Sequence, residues 1–412
     1  MIFRWFTLLC LTLPLRAEVD AWELEPVRYS GSTATDRLSR LAEKWTRDPA
    51  SLPGSTPLER VRVILAELKV PEASQILVFS KTSKQTDLIT PANPRALYFS
   101  SDCYCSYVPG GMMEIAIQDP RLGPVFYTID LGNPERPPRV DRNTSECLSC
   151  HGTRRTESIP GLFVRSVYPD QDGQPQLALG SQTVDHQTPV SKRWGGYYVT
   201  GSISQPHLGN RTYTDTLPAQ PQRFAWSDLR GKIDTQKYLR ATSDVAALMV
   251  LEHQCRAHNL ITAASMNYRR AAYLGNQINP GSDPDQGSAG RVADSAAAEI
   301  VEWFLFCGEA NQGEDGVEGD ADFQKQFEAH IPHTKGGESL ADFQLNGRLF
   351  KNRCSYMIYS EAFRALPEAV KTRVITGLRT VLTAPSSDDA YRDMKLPERR
   401  KITKILKETG VW

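Results

Sequence analysis

Most of the usual marks of a chemistry are missing from this sequence. Its 412 residues contain no second Cys-x-x-Cys, no glycine-rich phosphate loop, no Ser-His-Asp order and no pair of carboxylates spaced for acid–base work. No internal repeat is present, which excludes a solenoid or a propeller. Charge of one sign is missing too: Lys+Arg 48 balances Asp+Glu 48, so nothing in the net charge favours nucleic acid or an anionic membrane. Beyond the first residues no apolar run approaches the roughly 20 residues of a membrane span. Eight cysteines in 412 residues are too few for a disulfide scaffold. The remainder, 40% hydrophobic and 23% charged, describes an ordinary globular chain with a sizeable core. At about 100 to 200 residues per domain it is long enough for two or three.

Against that background Cys147-Leu148-Ser149-Cys150-His151 stands alone. Two cysteines two residues apart, followed at once by histidine, are the attachment signature of a c-type haem. The spacing has a physical reason. Each thiol adds across one haem vinyl group, one short segment spans both vinyls, and the next imidazole is delivered beneath the iron as its proximal ligand. The rival is half of a zinc site, which needs four N or S ligands in a closed tetrahedron. The nearest second half is His253 with His258. On a helix, residues five apart point to different faces, so that pair serves one metal poorly.

The amino terminus agrees with haem attachment outside the cytoplasm. Residues 1–17 read as a secretory signal peptide, with Arg4, an apolar run from Trp5 to Leu13, and an imperfect cleavage site at Leu15-Arg16-Ala17. An uncleaved anchor is the alternative. The expected location is periplasmic or otherwise exported, with no membrane span in the mature chain. Cys10 leaves with the signal. Cys103, Cys105, Cys255, Cys307 and Cys354 then form an odd set allowing at most two disulfides, whose connectivity sequence does not give.

Hydrophobic period predicts an α+β architecture in three segments. Residues 18–74 form an N-terminal helical segment, with helices over Arg37–Trp45 and Pro57–Leu68, the second opened by Pro57 after Thr56. Residues 75–238 form a central β-rich haem domain. Its strands fall at Ile76–Phe79, Ala96–Phe99, Met113–Ile117, Val125–Ile129, Leu162–Tyr168, Gln176–Leu179 and Gly196–Gly201, separated by turns such as Asn93-Pro94 and Pro109-Gly110-Gly111. Residues 239–412 form a C-terminal helical domain. It has one long helix from Asp244 to Leu274 packed against the haem domain, then helices over Ala293–Phe306, Glu361–Leu382 and Glu398–Thr409. Asn279–Gly290 reads as a linker and Gly313–Asp322 as an acidic, glycine-rich solvated loop.

A string of motifs runs through these segments. It comprises Ser80-Lys81-Thr82-Ser83, Pro94-Arg95-Ala96-Leu97-Tyr98-Phe99, Cys147 to His151, and Pro160-Gly161-Leu162-Phe163-Val164-Arg165-Ser166-Val167. It continues through Asp185-His186-Gln187-Thr188-Pro189, Arg193 to Gly201, His207-Leu208-Gly209-Asn210, and Leu251-Glu252-His253-Gln254 with His258-Asn259. On these residues the chain resembles a family of secreted, single-haem cytochrome c proteins of environmental bacteria, over nearly the whole mature length. Cys103 and Cys105 depart from the pattern. The resemblance implies haem and continuity of fold, and no particular activity.

The second iron ligand decides much of the function. Candidates are His186, His207, His253, His258, Met112, Met113, Met249 and Met266. His207 is preferred narrowly over His186, because both lie in turn-rich segments close after the haem loop, where side chains can be aimed at a cofactor. His330 and His333 read as surface. Arg165 and Arg193, with Arg154 and Arg155 as alternatives, suit the two haem propionates, since the guanidinium fork pairs with carboxylates. Trp194 and Tyr197 are candidates for covering the porphyrin. Three classes follow: electron transfer with a periplasmic redox partner, which requires least; a haem-based sensor or ligand-binding module; and a haem oxidoreductase with an open iron position. The chain is longer than a minimal cytochrome, which counts against a pure shuttle.

Overall fold

The computed structural model describes residues 20–132, 138–214, 220–313, 315–383 and 389–412. The signal-peptide reading at residues 1–17 lies outside them. Two helices come first, α1 (Arg37–Arg47) and α2 (Pro57–Glu67). Thr56 and Glu59 cap α2 reciprocally ahead of Pro57, satisfying donors that a helix start leaves unpaired.

A six-stranded antiparallel meander follows: β1 (Ile76–Val78), β2 (Arg95–Phe99), β3 (Cys103–Tyr107), β4 (Met113–Asp119), β5 (Gly123–Asp130) and β6 (Arg139–Asn143), in sequence order. Alternation gives this sheet two distinct faces. Cross-strand neighbours Phe99, Tyr104, Ala116, Phe126 and Asn143 share one face. Cys105, Ile115, Tyr127 and Arg142 share the other. The N-terminal segment covers the second face: the Tyr127 hydroxyl bonds Asp36 at 2.6 Å, and Arg142 donates to the carbonyls of Tyr29 and Ser32. The first face receives everything that carries the site.

The Cys147–His151 segment lies there, in the one-turn helix α3 (Leu148–His151). Two short ladders come next, β7 (Val164–Val167) with β8 (Ser181–Val184), and β9 (Gly201–Ile203) between β10 (Ala225–Trp226) and β11 (Val317–Glu318). The helix α4 (Val245–Ile278) then crosses the same face, capped by the Asp244 carboxylate on the Ala247 amide. Around it pack α5 (Ser288–Phe304), α6 (Ala321–His330), α7 (Glu361–Arg364), α8 (Glu368–Thr383) and α9 (Leu396–Glu408). No helix among the described residues is long and apolar enough to cross a membrane.

The architecture is mixed helix and sheet, and several details differ from expectation. Cys103–Tyr107 is a strand that the period did not show. Leu177–Leu179 is a helical turn, and the strand begins after it at Ser181. Residues 196–200 are irregular, because Gly196 adopts φ +92° and a Cβ there would meet the Ser80 hydroxyl at 2.6 Å. Part of the presumed acidic loop forms β11 on β9. The helix expected over Glu361–Leu382 is broken before Pro367, which cannot continue it. The three sequence segments also share one continuous hydrophobic core, from Trp22 to Leu406.

The centre of that core is polar. Glu252 on α4 is fully buried and accepts from Arg193 Nη1 at 2.7 Å and from the Trp194 indole at 2.6 Å. Burial pushes its carboxyl up to about 7, against the pull of Arg193. Removing one partner of such a pair strands the other charge, at a cost of about 3–5 kcal/mol. Glu252→Ala is therefore expected to lower the urea unfolding free energy by about that amount. A loss below about 1 kcal/mol would show the pair to be dispensable.

Candidate functional site

Cys147, Cys150 and His151 are brought together by local hydrogen bonds and held by distant ones. The Cys147 amide donates to Asn143 Oδ1 at the end of β6 (2.9 Å), and the Cys147 carbonyl accepts from the amides of Cys150 and His151. Cys147 is half-buried, Cys150 is exposed, and both are free thiols. Burial pushes the Cys147 thiol up to about 11.

The imidazole of His151 is fixed in direction and tautomer. Its Nδ1 lies 2.9 Å from the Gly161 carbonyl. A carbonyl only accepts, so Nδ1 carries the hydrogen and Nε2 keeps its lone pair. The ring sits between Phe126 and Phe163, at centroid distances of 5.0 and 5.2 Å. Burial lowers its pKa, which holds it neutral, the form in which imidazole binds a metal. Nε2 makes no hydrogen bond among the described residues.

The carbonyl that orients His151 is itself positioned from α4. Asn259 spans the backbone of Leu162, accepting from its amide (2.8 Å) and donating to its carbonyl (2.7 Å). Position 161 must then be glycine, since a Cβ would lie 2.6 Å from Asn259 Oδ1 and 2.7 Å from Thr156 Cβ. The charges nearest His151 come from the sheet, Arg95 on β2 and Glu114 on β4, and both act on the imidazole. Arg95 Nη1 is 3.6 Å from Glu114 Oε2, and Arg95 Nε is buried without a hydrogen-bond partner among the described residues. Sequence reasoning gave no role to Asn259, Arg95, Glu114 or Phe126. Arg95 and Asn259 stood inside quoted motifs, but nothing local tied them to His151.

The other expected site residues divide. Arg165 stays near the motif: burial lowers its pKa, Arg155 repels it, and the Cys150 thiol acts in the opposite direction. Its Nε donates to Ser181 at 2.6 Å. Tyr197 also stays, with its hydroxyl at the Arg165 backbone and within the field of Arg95. Arg154 and Arg155 are exposed. Arg193 is a correction: all three of its guanidinium nitrogens are engaged, by Thr188 O, Glu252 and His186 O, so it is a core residue. Trp194 belongs to the same core cluster, and packs edge-on to His207.

His207 is the second correction. It is fully buried, its Nδ1 accepts from the Gly209 amide at 3.0 Å, and its ring packs on Trp194 and Phe224. No hydrogen bond or ring contact among the described residues joins His207 or these neighbours to His151. His186 and His253 pair with each other through Nδ1 atoms 2.8 Å apart, and His253 Nε2 meets Ser355. His258 turns to the Tyr104 hydroxyl, so His253 and His258 do face different partners. Met113 is on the far face of the sheet, Met112 is exposed, and Met249 and Met266 are buried along α4. His330 and His333 are on the surface. Cys103 and Cys105, with sulfurs 3.7 Å apart, lie on the sheet face away from the motif. No family model, curated protein or solved structure matches the chain.

Two outcomes follow. In Asn259→Ala the Leu162 amide and carbonyl lose their partners, and exchange of the Leu162 amide should quicken while amides of β4 stay protected. Unchanged Leu162 protection would remove Asn259 from the support of the site. The second outcome concerns His207, which burial holds at about 4 in the folded state against 6.5 when exposed. Between those values the unfolded chain binds the extra proton, so this group's contribution to stability is lost as pH falls and regained as pH rises. Relative to His207→Gln, the wild type should gain about 1.4 kcal/mol per pH unit between pH 4 and 6.5. A difference that does not change with pH would mean His207 is not buried neutral.

Proposed function

We propose that this chain is an exported c-type haem protein carrying one haem through Cys147 and Cys150, with electron exchange with a periplasmic partner protein as its simplest role. The observation that carries the reading is the pinned imidazole: His151 holds Nδ1–H on the Gly161 carbonyl and leaves the Nε2 lone pair free, directly after two free thiols. A hydrogen bond of this kind from the remote ring nitrogen is what orients a metal-ligating histidine and raises its basicity. The orphaned Nε of Arg95 and the half-buried Arg165 supply cationic partners for the two haem carboxylates. Haem bound there supplies one-electron chemistry at iron, with a potential set by its ligands and its burial.

A second reading is favoured by one specific observation. Of the seven histidines only His151 is at the motif, no hydrogen bond or ring contact among the described residues joins another histidine to it, and the charged groups that act on it are Arg95 and Glu114. An iron held by His151 with no second side chain bound to it would be free to take a small ligand, as a sensor or an oxidoreductase requires.

One preparation tests both. Denatured holoprotein should retain one haem per chain by mass spectrometry, and Cys150→Ala should retain little. Haem that extracts into acidified organic solvent, or bound zinc in its place, would falsify the assignment. Carbon monoxide added to the reduced protein then separates the readings. Immediate binding supports the open position, while a low-spin spectrum that resists the gas supports a six-coordinate electron carrier.

A further inference from the structure

Arg95 is the least satisfied buried cation around His151. Its side chain is only 15% exposed, and its ion pair with Glu114 is long at 3.6 Å. Glu114 is occupied elsewhere: it accepts from the Ser83 hydroxyl at 2.9 and 3.0 Å, from Gln85 Nε2 at 3.2 Å and from the Ser106 hydroxyl at 3.4 Å. Arg95 Nε is buried and makes no hydrogen bond among the described residues. A guanidinium offers five N–H donors in a planar fork, and leaving them unpaired in a low-dielectric site is costly. The contrast with Arg193 is instructive, because that more deeply buried arginine has every nitrogen engaged. Arg60 and Arg399, the other buried arginines, likewise donate to backbone carbonyls. Arg95 is also placed where a ligand would meet it, since strand register puts it on the same sheet face as Glu114 and Phe126, and the Phe126 ring packs on His151.

We infer that Arg95 is the anion-binding residue of this site, its fork taking a carboxylate or small anion brought to the His151 side of the sheet. The inference rests on the haem reading and deepens it. The shared chemistry is a planar or linear anion, and it has two possible sources: a carboxylate of the haem itself, or a small exogenous anion of the azide or nitrite kind entering beside the iron. Glu114 then acts as a positioning residue. Its three donors, Ser83, Gln85 and Ser106, hold it at the end of the fork, where it fixes Arg95 without satisfying it.

The test uses oxidised holoprotein whose covalent haem has first been verified by mass, with Arg95→Gln, Arg95→Lys and wild type compared. Far-UV circular dichroism confirms that each variant is folded, and Arg95→Lys keeps the charge while losing the fork. Azide is titrated by the visible spectrum, and the midpoint potential is measured separately. Azide affinity falling tenfold or more in Arg95→Gln, with Arg95→Lys intermediate, assigns the fork to an exogenous anion. Azide affinity within twofold of wild type, with a more negative midpoint, assigns it to a haem carboxylate. The expected size of that shift is tenfold in the reduction equilibrium, about 59 mV for a one-electron couple. Neither change in a folded, haem-loaded Arg95→Gln overturns the inference and leaves the haem reading standing. A wild-type chain that fails the mass test overturns the haem reading, and the inference with it.

Discussion

One helix that is buried on every side over its first half sets the terms for the rest of the molecule. Glu252, His253, Gln254, His258 and Asn259 of α4 are each 2% exposed or less. Buried polar groups are tolerated only when partnered, so each must find a complement on a different layer. Glu252 takes Arg193 and Trp194, and His253 takes His186 and Ser355. Gln254 bonds Ser100 O, Tyr104 and Tyr356, His258 meets Tyr104, and Asn259 grips Leu162. At 3.6 residues per turn these side chains radiate around the helix, and their partners come from the sheet, the loops after it and the C-terminal helices. A slip of α4 by one residue would strand all of them together.

That constraint fixes the site from a distance. The two ends of the arrangement meet at His151: α4 sets the Gly161 carbonyl through Asn259, and the sheet sets Phe126, Arg95 and Glu114 through strand register. Tyr104, Ala116 and Phe126 are successive cross-strand neighbours, so the tyrosine that bonds His258 and the ring that packs on His151 belong to one row. Sheet and helix are thereby tied together within a few residues of the imidazole. The N-terminal helices take no direct part, but they cover the opposite face and so let only one face of the sheet serve the site.

What the sequence disclosed was what is local. The Cys147–His151 spacing, the helices from Arg37, Pro57 and Asp244, and most strands of the meander follow from short-range period and capping. The site beyond the motif was not local. Arg95 is 56 positions from His151 and Asn259 is 108, as the numbering shows, and only sheet register and the crossing of α4 join them. His207 was expected at the site because it follows the motif closely along the chain. Its turn in fact closes on its own Gly209 amide and on Trp194. Arg193 was misread because an arginine beside aromatic and glycine residues looks free, while its counter-charge sits on a helix 59 positions later. Residues 196–200 looked like a strand because aromatic and β-branched residues suit one, but glycines chosen for close backbone approach override that preference.

The length of the chain also acquires a reason. The four residues Leu148–His151 form a single helical turn, and one turn cannot hold itself in water, because nucleation fixes several dihedrals for one hydrogen bond. Its direction must come from outside, through Asn143 at one end, the Gly161 carbonyl at the other and the two phenylalanines beside the ring. Each anchor is in turn held by a larger element. A minimal helical wrapper could grip the same motif, but it would not bring a partly satisfied arginine and a carboxylate from a sheet to the imidazole. Building that polar environment takes a sheet with one protected face and a helix whose buried polar side chains each have a partner on another layer. Much of the chain beyond the motif is therefore invested in the surroundings of His151.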